Sequence, residues 1–529
     1  MNSIFATKLK TNYVPSDAEV EEIHNALIEP LQQLALLDDR IARMQEAMDE
    51  LIAERAWLKG EIEDHKALIS PIRRVPQDVL ETIFTACLPK AHNALINARE
   101  APLLLGHICS YWQGVAHSMP TLWTSIYIPS ASTGRPQAPA AVVPRFAEIV
   151  QEWFGRSGTG HLSLSMTLDG IQPALAQPLR SVFRRLRHLE VGIYSEAESV
   201  AAFLRGGNNE FPALESLNLH TREDAGPVFW STVELLAVSS LRRVSLQLRG
   251  DPMTLPLLWG ELTELNMQCF MSWPTNDGDW ELWEGGMRAH DVVDILRRCQ
   301  NLVKCRLDVT RVEAFQSRAS ATVPYLESLT IRECGDIPEV MESLSLPCLR
   351  HLSLDLSHGA ACNEEHFLRA ITPHTELLTS IDFTIRLFSH ETLLAFLRLV
   401  PGLRKIRLRR GRGLFSEEDM PSLINDAILR ELTPTAANPG LCPLLTEFEI
   451  HRCAFFSDDT LAQFIVARMN SEYPLIHVVV DFGRTVDRAL GPELERWTAE
   501  GALSLRLDYV ILDAWKYHSR EGLSMLNVW

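Results

Sequence analysis

Apolar residues in the later part of the chain return at one spacing, Leu-x-x-Leu-x-Leu with relaxed apolar choices. Ten copies fall between positions 186 and 450. They are Leu186/Leu189/Val191, Leu214/Leu217/Leu219, Leu241/Val244/Leu246, Leu262/Leu265/Met267, Leu302/Cys305/Leu307, Leu326/Leu329/Ile331, Leu349/Leu352/Leu354, Leu378/Ile381/Phe383, Leu403/Ile406/Leu408 and Leu445/Phe448/Ile450. A unit recurring every few tens of residues is the mark of a solenoid, whose neighbours stack to bury a shared core. Successive starts lie 28, 27, 21, 40, 24, 23, 29, 25 and 42 residues apart, which fits irregular leucine-rich repeats with loop insertions.

Each repeat core alternates apolar and polar, as a half-exposed strand does. Helical patterns fall between several of them, at 291–299, 364–371, 391–399 and 458–469, with Ser389 and Ser457 placed to cap the last two. Strand then helix, repeated, predicts an α/β fold: a curved parallel sheet with helices on its convex side. Further strands are expected at 162–166 and 503–507, with 517–529 covering the open end. Alternation puts a second set of side chains on the opposite, concave face. These include Ser216, Asn218, Arg243, Ser245, Glu264, Asn266, Lys304, Arg306, Ser328, Thr330, His351, Asp355, Ser380, Asp382, Glu447 and Glu449.

Ahead of the repeats the period changes. Residues 17–69 carry only Pro30 and Gly60 as breakers, and a heptad seam runs Leu34, Leu37, Ile41, Met44, Met48, Leu51, Arg55, Leu58, Ile62, His65, Ile69. This predicts one long amphipathic helix. Its seam is expected either to pair with a second copy or another helix as a coiled coil, or to pack on the chain's own body. The stretch holds 14 Asp/Glu against 5 Lys/Arg, so it is strongly acidic.

The next segment, 71–128, is short and helical. Pro76 suits the first turn of a helix, Asp78 its positive end, and Val79, Leu80, Ile83, Phe84 and Cys87 make one stripe. A second helix is expected from Pro102 with Leu104, Ile108, Trp112 and Val115 on one side; a corner at 119–123 and a strand at 125–128 follow. Residues 129–144 are rich in Pro, Ala and small polar groups and read as a loop, and a helix presenting Phe146, Ile149, Val150 and Trp153 comes after. The glycines of 155–160 lack a Gly-Lys-Ser/Thr ending, so that run reads as a turn rather than a phosphate loop.

Residues 71–128 resemble an F-box of the type common in mushroom-forming fungi. The resemblance rests on Pro71-Ile72, Val75-Pro76, Val79-Leu80, Ile83-Phe84, Cys87-Leu88-Pro89, the run 101–105, Ile108-Cys109, Trp112 and 120–123. In that family a helix like 17–69 often precedes the module and leucine-rich repeats often follow. The resemblance implies docking to the Skp-type adaptor of a cullin–RING ubiquitin ligase. The residues it assigns to the adaptor are Pro71, Ile72, Val75, Pro76, Val79, Leu80, Ile83, Phe84, Leu104, Ile108, Cys109, Trp112, Leu122 and Trp123.

Bulk properties narrow the partners. A net charge of −18 disfavours general nucleic-acid binding, which needs basic surface to displace counterions. No apolar run approaches a membrane span, and no secretory leader is evident. The ten cysteines are scattered without a C-x-x-C pair, which points to buried thiols in a reducing cytosol or nucleus. One patch inverts the overall sign: 398–412 holds seven basic residues and no acid. Lys405, Arg407 and Arg409, with Arg386 nearby, are candidates for gripping an acidic or phosphorylated target peptide; the alternative is a basic face balanced by Asp382, Glu447 and Glu449. His351 and His358 near Asp355, or Cys362 beside Glu364 and His366, are the nearest approach to a nucleophile–base group, and His366 reads better as a solvated side chain.

The expected organisation is therefore an extended or disordered 1–16, an acidic helix 17–70, the F-box-like module 71–128, a connecting segment 129–160 and a repeat array with a C-terminal cap, 161–529. The expected role is binding rather than chemistry of its own, with no cofactor or metal. The chain would be a substrate receptor of a ubiquitin ligase, or a repeat scaffold independent of any adaptor.

Overall fold

The computed structural model describes residues 8–129, 142–194, 197–221, 227–248, 251–269, 272–274, 280–282, 286–311, 315–316, 319–332, 334–355, 364–385, 389–410, 424–435, 438–482 and 492–509. The chain forms two compact units, Met1–Ile83 and Phe84–Trp529.

In the first unit one helix, Asp17–Leu68, dominates. Its start is fixed by Glu19, whose carboxylate accepts from the Ser16 backbone N–H at 2.9 Å and from Lys8 Nζ at 2.8 Å. The Lys8 hydrogen bond and then the Ser16 N–H hold that carboxyl at about 2. Thus the segment before the helix, where it is described, is tied back to the first turn. Pro30 lies inside the helix and removes one donor, yet the helix continues through it and through Gly60. The seam residues Leu34, Leu37, Ile41, Met44, Met48, Leu51, Leu58 and Ile62 are 46–66% exposed, so their apolar side chains stand in solvent. A 3-10 turn, Pro71–Arg74, separates it from a second helix, Gln77–Ala86. Pro76 stands just ahead of that helix, its carbonyl accepting from Leu80 N–H at 3.1 Å, and not in its first turn.

The second unit is built on a parallel sheet of fourteen strands paired in strict sequence order. They are Ser125–Ile128, Leu162–Leu168, Leu186–Ile193, Ser216–Thr221, Arg243–Leu248, Glu264–Cys269, Lys304–Asp308, Ser328–Arg332, His351–Asp355, Ser380–Ile385, Lys405–Arg410, Glu447–Ala454, His477–Phe482 and Ser504–Asp508. Sequential parallel pairing, with helices and turns between strands, is the topology of a repeat solenoid. The apolar positions of all ten copies of the spacing are at most 3% exposed. Two further copies belong to the sheet, Trp123/Ile126/Ile128 and Leu475/Val478/Val480, each residue at most 1% exposed.

The expected helices form between strands at Ala289–Arg298, Glu364–Ile371, His390–Leu399 and Asp458–Met469. Ser389 and Ser457 cap the last two by accepting from Thr392 and Thr460 N–H, each at 3.2 Å. The long gap before Lys304 carries a hairpin, 272–274 with 280–282. The turn ahead of Leu162–Leu168 uses Gly158 at φ +59°, a backbone that favours glycine.

The strand expected at 125–128 forms and is the first strand of the large sheet, Ile126 pairing with Leu164. One expectation for 71–128 is corrected. The helix expected from Pro102 is broken into Leu103–Gly106 and Ser110–Ser118, because Cys109 is extended at φ −162°, ψ 167° and caps the second piece. The expected terminal cap 517–529, most of the loop at 129–144, and the residues Arg386, Arg412, His358 and Cys362 lie outside the described residues.

Candidate functional site

Register converts the sheet's open face into rows. One row runs Ser216, Arg243, Glu264, Lys304, Ser328, His351, Ser380, Lys405, Glu447. The next runs Glu190, Asn218, Ser245, Asn266, Arg306, Thr330, Ser353, Asp382, Arg407, Glu449. Neighbouring strands lie about 4.8 Å apart, so side chains in a row touch. The result is a continuous polar surface: Ser163 donates to Asn93, Asn93 to Ser165, and Ser165 and Asn218 to Glu190, at 2.7–3.0 Å.

The expected basic patch sits on this face, and its cations have partners. Lys405 Nζ donates to Glu447 at 2.5 Å and pairs with Glu449 at 2.9 Å. Arg407 grips Glu449 with two N–H groups at 2.6 and 3.0 Å, and Arg409 grips Asp382 with two at 3.0 Å. Glu449 is only 4% exposed. Burial alone would raise its carboxyl, but the hydrogen bonds from Arg407 and Lys405 outweigh it and hold it at about 2. The counter-ions of the patch are thus built into the adjacent strands, and an incoming acidic peptide would have to compete with them.

That network sets a pH expectation. A carboxyl depressed from 4.5 to about 2 contributes stability that is full above its unfolded value and is lost as the pH falls toward 2. We expect Glu449→Gln to cost about 1–3 kcal/mol at neutral pH, since two cations lose their shared anion. Melting temperature followed from pH 5 downward should fall less steeply in Glu449→Gln than in the wild type; parallel curves would refute the assignment.

Away from the patch, the face is indented. A groove of about 430 Å³ lies over the strands from Ser216 to Thr330, with Asn218, Arg243, Asn266, Lys304 and Arg306 along its floor and rim. Arg243 donates to His188 Nδ1 at 3.1 Å, and burial, then the Arg243 and Arg187 charges, push that imidazole below its usual range, so it stays a neutral acceptor. Lys304 reaches Glu264 only at 3.5 Å and remains 63% exposed. Asn266 Oδ1 is buried without a hydrogen-bond partner, and Arg306 Nε pairs with Asp308 Oδ1 at 3.7 Å. An indented strip lined by Arg243, Lys304 and Arg306, with Lys304 largely exposed, suits a polar ligand laid along the sheet. Sequence alternation put these residues on the face, but nothing in it singled them out above Lys405, Arg407 and Arg409.

The residues assigned to the adaptor divide by burial. Leu80 and Phe84 are 0% exposed and Leu122 and Trp123 1%, so these four pack in the core. Phe84 packs tilted against Trp112, ring centroids 4.8 Å apart; Trp123 donates to the Ala116 carbonyl at 2.9 Å and meets Trp153 edge-on at 4.8 Å. In the first unit Pro71, Ile72, Pro76 and Val79 are exposed, Val75 and Ile83 half-buried. In the second unit Leu104, Ile108 and Cys109 are exposed and Trp112 half-buried.

The remaining chemistry candidates are spread out. His351 is exposed, Asp355 pairs with Arg332 at 3.8 Å, and His366 lies 3.1 Å from Glu342 on the neighbouring helix. Burial pushes the Cys299, Cys334 and Cys442 thiols up to about 12, which makes them packing groups at neutral pH. Among the described residues no helix is long and apolar enough to cross a membrane.

No family model matches the chain, and no curated protein matches it. Among solved structures it is similar to one described as the crystal structure of the Rad7 and Elc1 complex in yeast. That likeness has 14% identity and a TM-score of 0.33, over 69% of this chain and 94% of that one. A likeness at this level carries no argument about function.

Proposed function

We propose that the chain is the substrate-recognition subunit of a cullin–RING ubiquitin ligase, with an F-box-like segment at 71–128 and an irregular leucine-rich-repeat array behind it. The observation that supports it most is the exposure of apolar side chains in that segment. Ile72 and Val79 are 42% and 44% exposed in the first unit, Leu104 and Ile108 41% and 53% in the second. Exposed aliphatic side chains on short helices suit a protein partner. The Skp-type adaptor would take these residues and connect the chain to a cullin. A target protein would lie along the polar face of the sheet, over the groove at Arg243, Lys304 and Arg306. Ubiquitin transfer would be carried out by other subunits, the chain contributing proximity and no chemistry, cofactor or metal of its own. Its place would be the cytosol or nucleus.

One observation favours the scaffold reading instead. Ser125–Ile128 pairs along its length with Leu162–Leu168, so the end of the F-box-like segment is also the first layer of the array, as a cap would be. Capture of a purified Skp-type adaptor separates the two. We expect the wild type to capture it and Leu104→Asp/Ile108→Asp to lose at least about a hundredfold in affinity, as anchor residues do. Both side chains are exposed, so the fold should survive the change. A folded wild type that captures no adaptor leaves the scaffold.

A further inference from the structure

We infer that the helix Asp17–Leu68 pairs with the same helix of a second copy of this chain, and that the two run antiparallel. The seam from Leu34 to His65 alternates three- and four-residue steps, the spacing of a and d positions in a coiled coil, and its apolar members stand in solvent. A stripe of that length left in water calls for a partner.

The charges beside the seam say which partner. With Leu34 at an a position, Asp38, Lys59 and Lys66 fall at e, and Arg40, Glu54 and Glu61 at g. Flanking charges at e and g choose partner and orientation. In an antiparallel pair centred between Met48 and Leu51, Asp38 faces Lys66 of the second copy and Arg40 faces Glu54, each twice by symmetry. The acidic excess does not oppose this. Glu46, Asp49, Glu50, Glu63 and Asp64 fall at outer positions, where they face water.

The seam itself decides the direction. A parallel pair would also match Glu54 with Lys59 and Glu61 with Lys66, so the flanks alone allow both. Running parallel, however, stacks Arg55 on Arg55 and His65 on His65 in the apolar interface, an uncompensated like-charge contact at Arg55. Running antiparallel sets Arg55 against Met44 and His65 against Leu34, while Ile41 meets Leu58 and Leu37 meets Ile62. A guanidinium beside a flexible methionine can reach water along its own aliphatic stem.

The test uses the full chain. Sedimentation velocity in the micromolar range should give about twice 59.7 kDa for the wild type and the single-chain mass for Met48→Asp/Leu51→Asp. Those two side chains are 64% and 66% exposed, so the second unit should remain folded, which circular dichroism checks. Lys66→Glu should weaken self-association about tenfold, because two attractive flanking pairs become repulsive. Adding Asp38→Lys should restore it. A wild type that stays monomeric, a dimer that persists in Met48→Asp/Leu51→Asp, or rescue by Glu61→Lys in place of Asp38→Lys would each overturn the arrangement.

Discussion

Replacing Arg468 by methionine should destabilise the second unit by about 3–5 kcal/mol, the range for breaking a buried charged network. The guanidinium is 0% exposed. It donates to the carbonyls of Leu432 at 2.5 Å, Leu441 at 2.6 Å, Cys442 at 3.0 Å and Pro443 at 3.3 Å. Burial draws it down to about 10, so it is still a cation at neutral pH. Methionine fills much of the volume and supplies no donor, which leaves those carbonyls facing a thioether. The loop they belong to is tight. Gly440 takes φ +75°, and a Cβ there would stand 3.1 Å from the backbone of Leu432 and Thr433. Lysine should recover only part of the loss, since its ammonium cannot spread donors as the planar fork does. Because a stacked array couples each layer mainly to its neighbours, amide exchange should accelerate first around Glu447–Ala454. A urea midpoint within experimental error of the wild type would refute the role given to Arg468.

Trp123→Ala should cost about 3–5 kcal/mol as well, the usual range for truncating a buried aromatic. The indole is 1% exposed, bonded through Nε1 to the Ala116 carbonyl, edge-on to Trp153 and covered by Arg156 at 4.7 Å. The F-box resemblance assigns this residue to the adaptor. The structure makes it the keystone between Ser110–Ser118 and Val142–Arg156. The two roles separate experimentally. Trp123→Phe keeps most of the apolar volume and should keep adaptor capture, whereas Trp123→Ala should lose capture and thermal stability together. Loss of capture by Trp123→Ala with an unchanged melting temperature would show a contact role.

The sheet was legible because twelve of its fourteen layers obey one rule: an apolar residue, two spacers, then an alternating apolar pair. The pattern showed Ser125–Ile128 as a strand without joining it to the sheet, because Trp123 takes the leucine place, and it missed His477–Phe482, where valines stand at 478 and 480. Their β-branched and aromatic side chains fill the same positions. The break at Cys109 was hidden for a different reason. Leu104, Ile108, Trp112 and Val115 keep helical spacing on both sides of the extended residue, so periodicity could not see the interruption. On the open face, alternation placed the side chains correctly. Which cations would be neutralised depends on neighbours far along the chain, Glu449 for Arg407 and Asp382 for Arg409. Local charge counting leaves Lys405, Arg407 and Arg409 open as an anion site or as a basic face balanced by Asp382, Glu447 and Glu449, and the register shows the balanced face. Arg468 gave no signal at all: a helix C-terminus commonly carries an arginine, and only the folded loop shows what it holds.

Each strand of the sheet is bonded only to the one before and the one after it. Length is therefore a free variable in this architecture: one coil could be excised or duplicated whole, and the cut ends would meet in the same phase. Lineages can trim or extend such a surface in steps of a single layer, leaving the front of the chain untouched.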